Sequence, residues 1–480
     1  MSHLLALHQA VAASCPSSSG TYLHFNPSEL KSDGSHCDGF AYADTGATAW
    51  VLASSALVLL MTPALAFFYG GMVRAKHTLA MLMQNFACIG VVSVTWLVIG
   101  FSWAFGGTGK FLGDGHYFLL NHMSDTVPAL GKAQLVPTLC FVAFQLTFAI
   151  ITPALITGST ADRWKFGPFL LFVTIWSVVI YAPVAHWVFD GYGFLNKSLY
   201  SAGGKFFAQD FAGGTVVHIN AGAAALAMAL LLGKRKGWPR EQMRGHNIPF
   251  VLLGAGLLWF GWFGFNAGSE LGADGVASLA WVNTNTATAT AMLGWLLAEK
   301  IRYGKCTALG AASGAVTGLV AITPCAGWVT PVGSLFIGVI AGFICAFAIS
   351  LKNKIGLDDS LDVGGVHFVG GWIGTIGVGF FSSTNANSLG NNGVFYKHLT
   401  GGWGSNGGFN LVWHQILAAG MVTIYSFVGT LIIGFLINLV WKSRVSEEWE
   451  AEGLDVTMHG ESAYDWGTLA SVHAMEGTHA

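Results

Sequence analysis

Eleven stretches of this 480-residue chain are apolar over the length a helix needs to cross a bilayer, which restricts it to a helical membrane architecture. They fall at about 47–70, 79–105, 137–158, 168–189, 211–233, 249–268, 277–299, 307–327, 331–351, 363–382 and 411–441. The composition agrees. Hydrophobic residues make up 53% of the chain and charged residues 10%, against roughly 25% charged in soluble domains. The chain therefore reads as an all-α polytopic membrane protein. Its 64 glycines fit, because small residues let membrane helices approach closely where no hydrophobic effect drives them together. The net charge of −2 gives nothing that points to nucleic acid.

The basic residues set the orientation. Of the 22 Lys and Arg, sixteen fall in one set of loops and on the C-terminal side, and six in the other. With an odd number of spans, this asymmetry puts the N-terminus outside and the C-terminus in the cytoplasm of a cell membrane. Spans one to five and six to ten make two sets of five. An odd number per set forces opposite topologies, as in inverted-repeat transporters whose site lies between the halves near the midplane. The eleventh span is then an added flank. The expected organisation is an extracytoplasmic extension at 1–45, a membrane domain at 46–442 and a cytoplasmic tail at 443–480. The tail is acidic, with Glu447, Glu448, Glu450 and Glu452, and is expected to be mobile. Cys15 and Cys37 can form a disulfide if the extension lies outside the cytoplasm.

Span five, within DFAGGTVVHINAGAAALAMALLL, holds His218. Span ten, VGGVHFVGGWIGTIGVGFF, holds His367 at the corresponding place of the other half. Ionisable side chains at membrane depth are costly and mark pathways for substrates, ions or protons. A facing pair of imidazoles shares and relays a proton, each ring donating from one nitrogen and accepting at the other. The alternative is two separate packing histidines bonded to backbone carbonyls; the matching positions favour the pair. Asp210 opens span five eight residues before His218, where a carboxylate caps free amides and suits the helix dipole. A role in stabilising an arriving cation stands equally open. Asp362, before span ten, reads as a cap.

Phe144 and Phe148 lie at i, i+4 and share a helix face; Phe265 stands in WFGWFGFNAGS, which ends on Ser269. Aromatic faces attract cations, and stacked phenyl rings close a narrow pore to water. Among 34 Phe, a lipid-facing or core position is the ordinary reading. No GxxxxGK[ST], HExxH, GxSxG or paired-cysteine motif is present, so neither an ATP-driven engine nor an embedded enzyme is expected, and no cofactor.

These residues resemble the ammonium transporter family, related to methylammonium permeases and Rhesus glycoproteins, over about 45–466. The resemblance is carried by LVLLMTPALAFFYGGMVRAKHTLAMLMQN, DFAGGTVVHINAGAAALA, WFGFNAGS, DVGGVHFVGG and EGLDVTMHGESAYDW. It implies eleven helices in two inverted five-helix halves, homotrimers with one pore per subunit, and ammonium, ammonia or methylammonium as substrate. By position it implies that His218 and His367 are the twin histidines of the pore. Phe148 and Phe265 match the gate, Phe144 the outer vestibule, and Ser269 the hydroxyl that accepts from ammonium. Asp210 matches the aspartate near the recruitment site, and Trp262 a pore-lining aromatic. One departure stands out: in PVAHWVFDGYG, Phe189 occupies a vestibule position where the family usually has tryptophan. Its weaker cation–π face bears on outer-site affinity. Trp187, two residues back on the same helix, points elsewhere. The tail segment EGLDVTMHGESAY resembles the part of the family that meets PII-type regulators. The rival reading is an ammonium sensor that signals through this tail.

Overall fold

The computed structural model describes residues 44–123, 136–196, 205–241, 243–398 and 407–464. The N-terminal extension, with Cys15 and Cys37, lies outside them. Each apolar run forms a helix: α1 Thr45–Met72, α2 Ala75–Phe105, α3 Thr138–Thr160, α4 Phe166–Phe189, α5 Gly214–Leu232 and α6 Ile248–Glu270. Then follow α7 Gly275–Tyr303, α8 Ala308–Ile322, α9 Pro331–Ile355, α10 Gly364–Phe381 and α11 Phe409–Val440. Among the described residues, nine helices are long and apolar enough to cross a membrane.

The exceptions are α7 and α8. Helix α7 carries Asn283, Thr284, Asn285, Thr286, Thr288 and Thr290 along its middle. Its threonines bond back to the helix's own carbonyls, as Thr284 does to Ala280 O at 2.6 Å and Thr288 to Thr284 O at 2.6 Å. Helix α8 stops at Ile322, short of the expected 327, because Pro324 has no N–H to extend the ladder.

Helices α1 and α6, the first of each set of five, pack together, as do α5 and α10, the last of each set. The α1–α6 contact needs glycine. A Cβ on Gly254 would stand 2.7 Å from Ala64 O, and one on Gly264 2.9 Å from Ser54 O. Gly264→Leu is expected to force the two helices apart and lower stability by about 1–3 kcal/mol, read as the unfolding midpoint in detergent.

On the side of the bundle where the tail emerges from α11, the loops meet in a buried ionic cluster. Arg163, fully buried, donates to Ser159 O at 2.8 Å, Asp358 O at 2.6 Å and the Ser360 hydroxyl at 2.6 Å. Arg235 grips the Asp358 carboxylate at 2.8 and 2.9 Å, and Arg74 pairs with Asp162 at 3.2 Å. Burial pushes the Asp358 carboxyl up, but the hydrogen bonds and charge of Arg235, with the charge of Arg163, outweigh it and hold the group below the usual carboxylate range.

The tail departs from the expected mobility, for two of its acidic side chains are buried in the protein. After α11 the chain pairs antiparallel with the α3–α4 loop, Lys165 N donating to Ser443 O at 2.8 Å and Val445 N to Arg163 O at 3.1 Å. Two short helices follow, α12 Glu447–Glu452 and α13 Leu454–His459. Glu450, 1% exposed, accepts from Lys236 N at 2.7 Å and Arg444 at 3.1 Å. Asp455, 2% exposed, accepts from Ala80 N at 2.9 Å.

Candidate functional site

Helices α5 and α10 both open on a single π-helical turn, Gly214–Ile219 and Gly364–Phe368, and each turn carries one of the two histidines. Such turns are rare and recur at functional sites. Each is fixed by a carboxylate eight residues upstream of its histidine. Asp210 accepts from Gly213 N at 2.8 Å, Gly214 N at 2.9 Å, Thr215 N at 2.8 Å and the Thr215 hydroxyl. Before α10 Asp359, not Asp362, is the cap: it accepts from Val363 N at 3.1 Å and Gly364 N at 2.7 Å. Asp362 sits in the left-handed region at φ +64 and turns its carboxylate to Lys352 at 2.6 Å. The equal Asp-to-His spacing was the signal available in the sequence.

The two turns bring His218 and His367 together. Their Nδ1 atoms are 3.4 Å apart, with ring planes 23° from parallel. Both rings are buried, at 1% and 2% exposure, and His218 Nε2 has no hydrogen-bond partner among the described residues. A narrow cavity runs beside them, lined by Met61, Leu65, Ile151, Leu155, Val217, Leu258, Trp262, Phe265 and Val316 as well as the two histidines. About 10 Å³ is open to the centre of a water-sized molecule, room for one at a time. The Trp262 ring lies 5.3 Å from His218 at 19°, held by its Nε1 donating to Thr323 Oγ1 at 2.8 Å. Nothing in the sequence singled out Thr323 or the aliphatic lining, which are ordinary residues of apolar helices.

Beside Trp262 and His218, Phe265 packs on Phe148 with ring centroids 4.2 Å apart, and Phe144 meets Phe148 edge-on at 4.9 Å. Within this aromatic stack Phe148 and Phe265 are 1% and 0% exposed. Ser269 sits half-buried one turn beyond Phe265, donating to Phe265 O at 2.8 Å, which leaves its oxygen lone pairs free to accept. Phe144 comes close to this turn, its ring edge 2.9 Å from where a Gly268 Cβ would stand. Phe189, the last residue of α4, instead lies against the Asp210 turn, 3.6 Å from a Cβ placed on Gly213. Trp187 does point elsewhere: it donates to Phe111 O at 2.7 Å and packs on Tyr425. Asp210 spends its carboxylate on its own turn.

A model of the Ammonium Transporter Family matches residues 49–464. The ammonium transporter of Mycobacterium tuberculosis (strain ATCC 25618 / H37Rv) is 50% identical over 444 residues, covering 89% of this chain and 92% of that one. The crystal structure of Candida albicans Mep2 superposes with a TM-score of 0.76 at 32% identity, covering 86% of this chain and 90% of that one. A structure named Sensor Amt Protein matches with a TM-score of 0.75 at 28% identity, covering 86% and 98%.

Proposed function

The chain belongs to the ammonium transporter family, and from that premise we propose how it moves its substrate. NH4+ is collected at an outer site by Phe144, Phe189 and the Ser269 hydroxyl, with Asp210 holding the turn against which Phe189 lies. A hydrated cation does not cross the phenyl stack and the apolar cavity cheaply. The ion therefore loses a proton near Phe148 and Phe265. Neutral NH3 passes His218 and His367 while the proton travels along the pair, and the two recombine on the inner side, so one charge crosses per ammonia.

The observation that carries this reading is the paired imidazoles in an otherwise apolar, one-molecule-wide cavity, one of them with an unpartnered nitrogen. A buried polar atom left unbonded asks for an explanation, and a passing ammonia supplies one. We also read α1–α11 as eleven spans: α1–α5 and α6–α10 as inverted halves and α11 as a flank. The N-terminus lies outside and the tail in the cytoplasm of the cell membrane. The α1–α6 and α5–α10 contacts and the equal Asp-to-His spacings support the two halves. The chain works as a homotrimer with one pore per subunit, and its tail offers a surface to a PII-type regulator.

The test is uptake of labelled methylammonium by liposomes carrying the purified protein. Saturable uptake competed by ammonium and indifferent to potassium is the expected result; uptake no greater than in protein-free liposomes would sink the proposal. The docked tail favours one rival, an ammonium sensor signalling through that tail, and binding without uptake is its signature.

A further inference from the structure

Both ring nitrogens of His186 lie against carbonyl oxygens. Nδ1 is 3.0 Å from Ala104 O at the end of α2, and Nε2 is 2.6 Å from Gly109 O in the loop that follows. A neutral imidazole has one N–H and one lone pair, so either neutral tautomer would aim a lone pair at a carbonyl oxygen. Only the ring with two N–H groups satisfies both contacts. That ring is a cation, and it is completely buried, at 0% exposure. A buried charge needs a partner of opposite sign. The structure supplies Asp190, one turn on, also at 0% exposure, with its carboxylate 3.9 Å from His186 Nδ1. Asp190 Oδ1 takes the Tyr192 N–H at 2.8 Å, while Oδ2 has no hydrogen-bond partner among the described residues.

Phe189 stands between these two residues in sequence, at the last position of α4. The end of that helix is strapped to the loop after α2. His186 reaches Gly109 O, Trp187 Nε1 donates to Phe111 O at 2.7 Å, and Phe194 N donates to Lys110 O at 3.0 Å. Other titratable groups at this end have their own places. Asp114 accepts from His116 N at 2.9 Å, Tyr117 lies half-buried in the same loop, and Tyr425 of α11 donates to Val179 O at 2.7 Å. The one ion pair of Asp190 among the described residues is with His186.

We infer that His186 is a buried imidazolium, and that its ion pair with Asp190 and its two carbonyl bonds make it the positioning residue that holds Phe189 at the ammonium-collecting mouth. The positioning part rests on the reading of Phe189 given above. The charged ring does not.

The two parts are tested separately. Ala185–His186 is the chain's single Ala-His step. Labelling with carbonyl-13C alanine and 15N histidine therefore singles out this ring by NMR in the full-length protein without any variant. The expected result at neutral pH is a ring with both nitrogens protonated; a ring with one N–H overturns the proposal. In uptake, Phe189→Ala and His186→Gln are each expected to raise the half-saturating ammonium concentration roughly fivefold, with maximal uptake kept. Gln donates from a single atom and does not reach both carbonyls. Should His186→Gln fail to assemble, Asp190→Asn, which removes only the counter-charge, is expected to raise the same concentration. A charged ring with unchanged half-saturation in the His186 or Asp190 variant, alongside a raised value in Phe189→Ala, overturns the positioning role. An unchanged value in Phe189→Ala shows instead that the recruitment reading has failed and takes the positioning role with it, while the NMR result decides the ion pair on its own.

Discussion

Replacing His218 by alanine is expected to cut the ammonium-driven current roughly a hundredfold, the low end of what a positioned proton-transfer group contributes. The cavity beside it is lined by aliphatic and aromatic side chains except for His218 and His367. Without one imidazole the 3.4 Å Nδ1 contact is gone, and the proton has no partner across the gap. Neutral ammonia needs no such relay, so uptake of ammonia is expected to fall less than the current. His367→Ala acts on the same contact and should give a comparable loss. Full current in both single variants would end the relay idea. The truncation also removes a buried ring packed on Trp262 and leaves His367 Nδ1 without that contact, so the unfolding midpoint in detergent is read beside the current to separate lost relay from lost folding.

The largest expected stability effect lies elsewhere, at the buried ionic cluster beside the tail. Asp358 is 1% exposed and takes three donors from Arg235: the backbone N–H at 2.8 Å, Nε at 2.9 Å and Nη2 at 2.8 Å. Asp358→Ala leaves the buried guanidinium groups of Arg235 and Arg163 short of counter-charge, which costs about 3–5 kcal/mol. The measurement is the unfolding midpoint of the purified protein, and a variant as stable as the parent contradicts the account. The sign of the pH effect follows. The Asp358 and Asp162 carboxyls are both held below their ordinary values against the opposing effect of burial, Asp358 chiefly by Arg235 and Asp162 by His77 and the neighbouring arginines. Their contribution is therefore complete above the ordinary carboxylate range and is lost as the pH falls through the lower folded values. The cluster and the tail that leans on it are expected to loosen in acid.

The positions of the helices were legible because hydrophobic length is a crude signal that survives local detail; each of the eleven runs became a helix. His218 and His367 were legible because a histidine among glycines and aliphatics is conspicuous. The cap of α10 was misread for a clear reason. The segment LDDSLD offers Asp358, Asp359 and Asp362 within five positions, and composition does not reveal that Asp362 adopts a left-handed turn. The spacing did contain the answer, since Asp210 to His218 and Asp359 to His367 are the same step. The π-helical turns left no trace in the pattern of residues. The tail was misread because its acidic side chains look solvated in sequence, whereas Glu450 and Asp455 find partners some hundreds of positions away, at Lys236 N and Ala80 N. The stack of Phe148 on Phe265 was likewise invisible in a chain with 34 phenylalanines until the resemblance pointed to it.

The central claim is that ammonia and its proton both cross, by separate routes through one pore. Its most direct test is to record current and ammonia uptake together in liposomes carrying the parent protein after an ammonium pulse. The account predicts a saturable current with one charge moved per ammonia taken up. Uptake with no current would contradict the proton route and leave a neutral ammonia channel; neither signal, with ammonium still bound to the protein, would contradict transport itself.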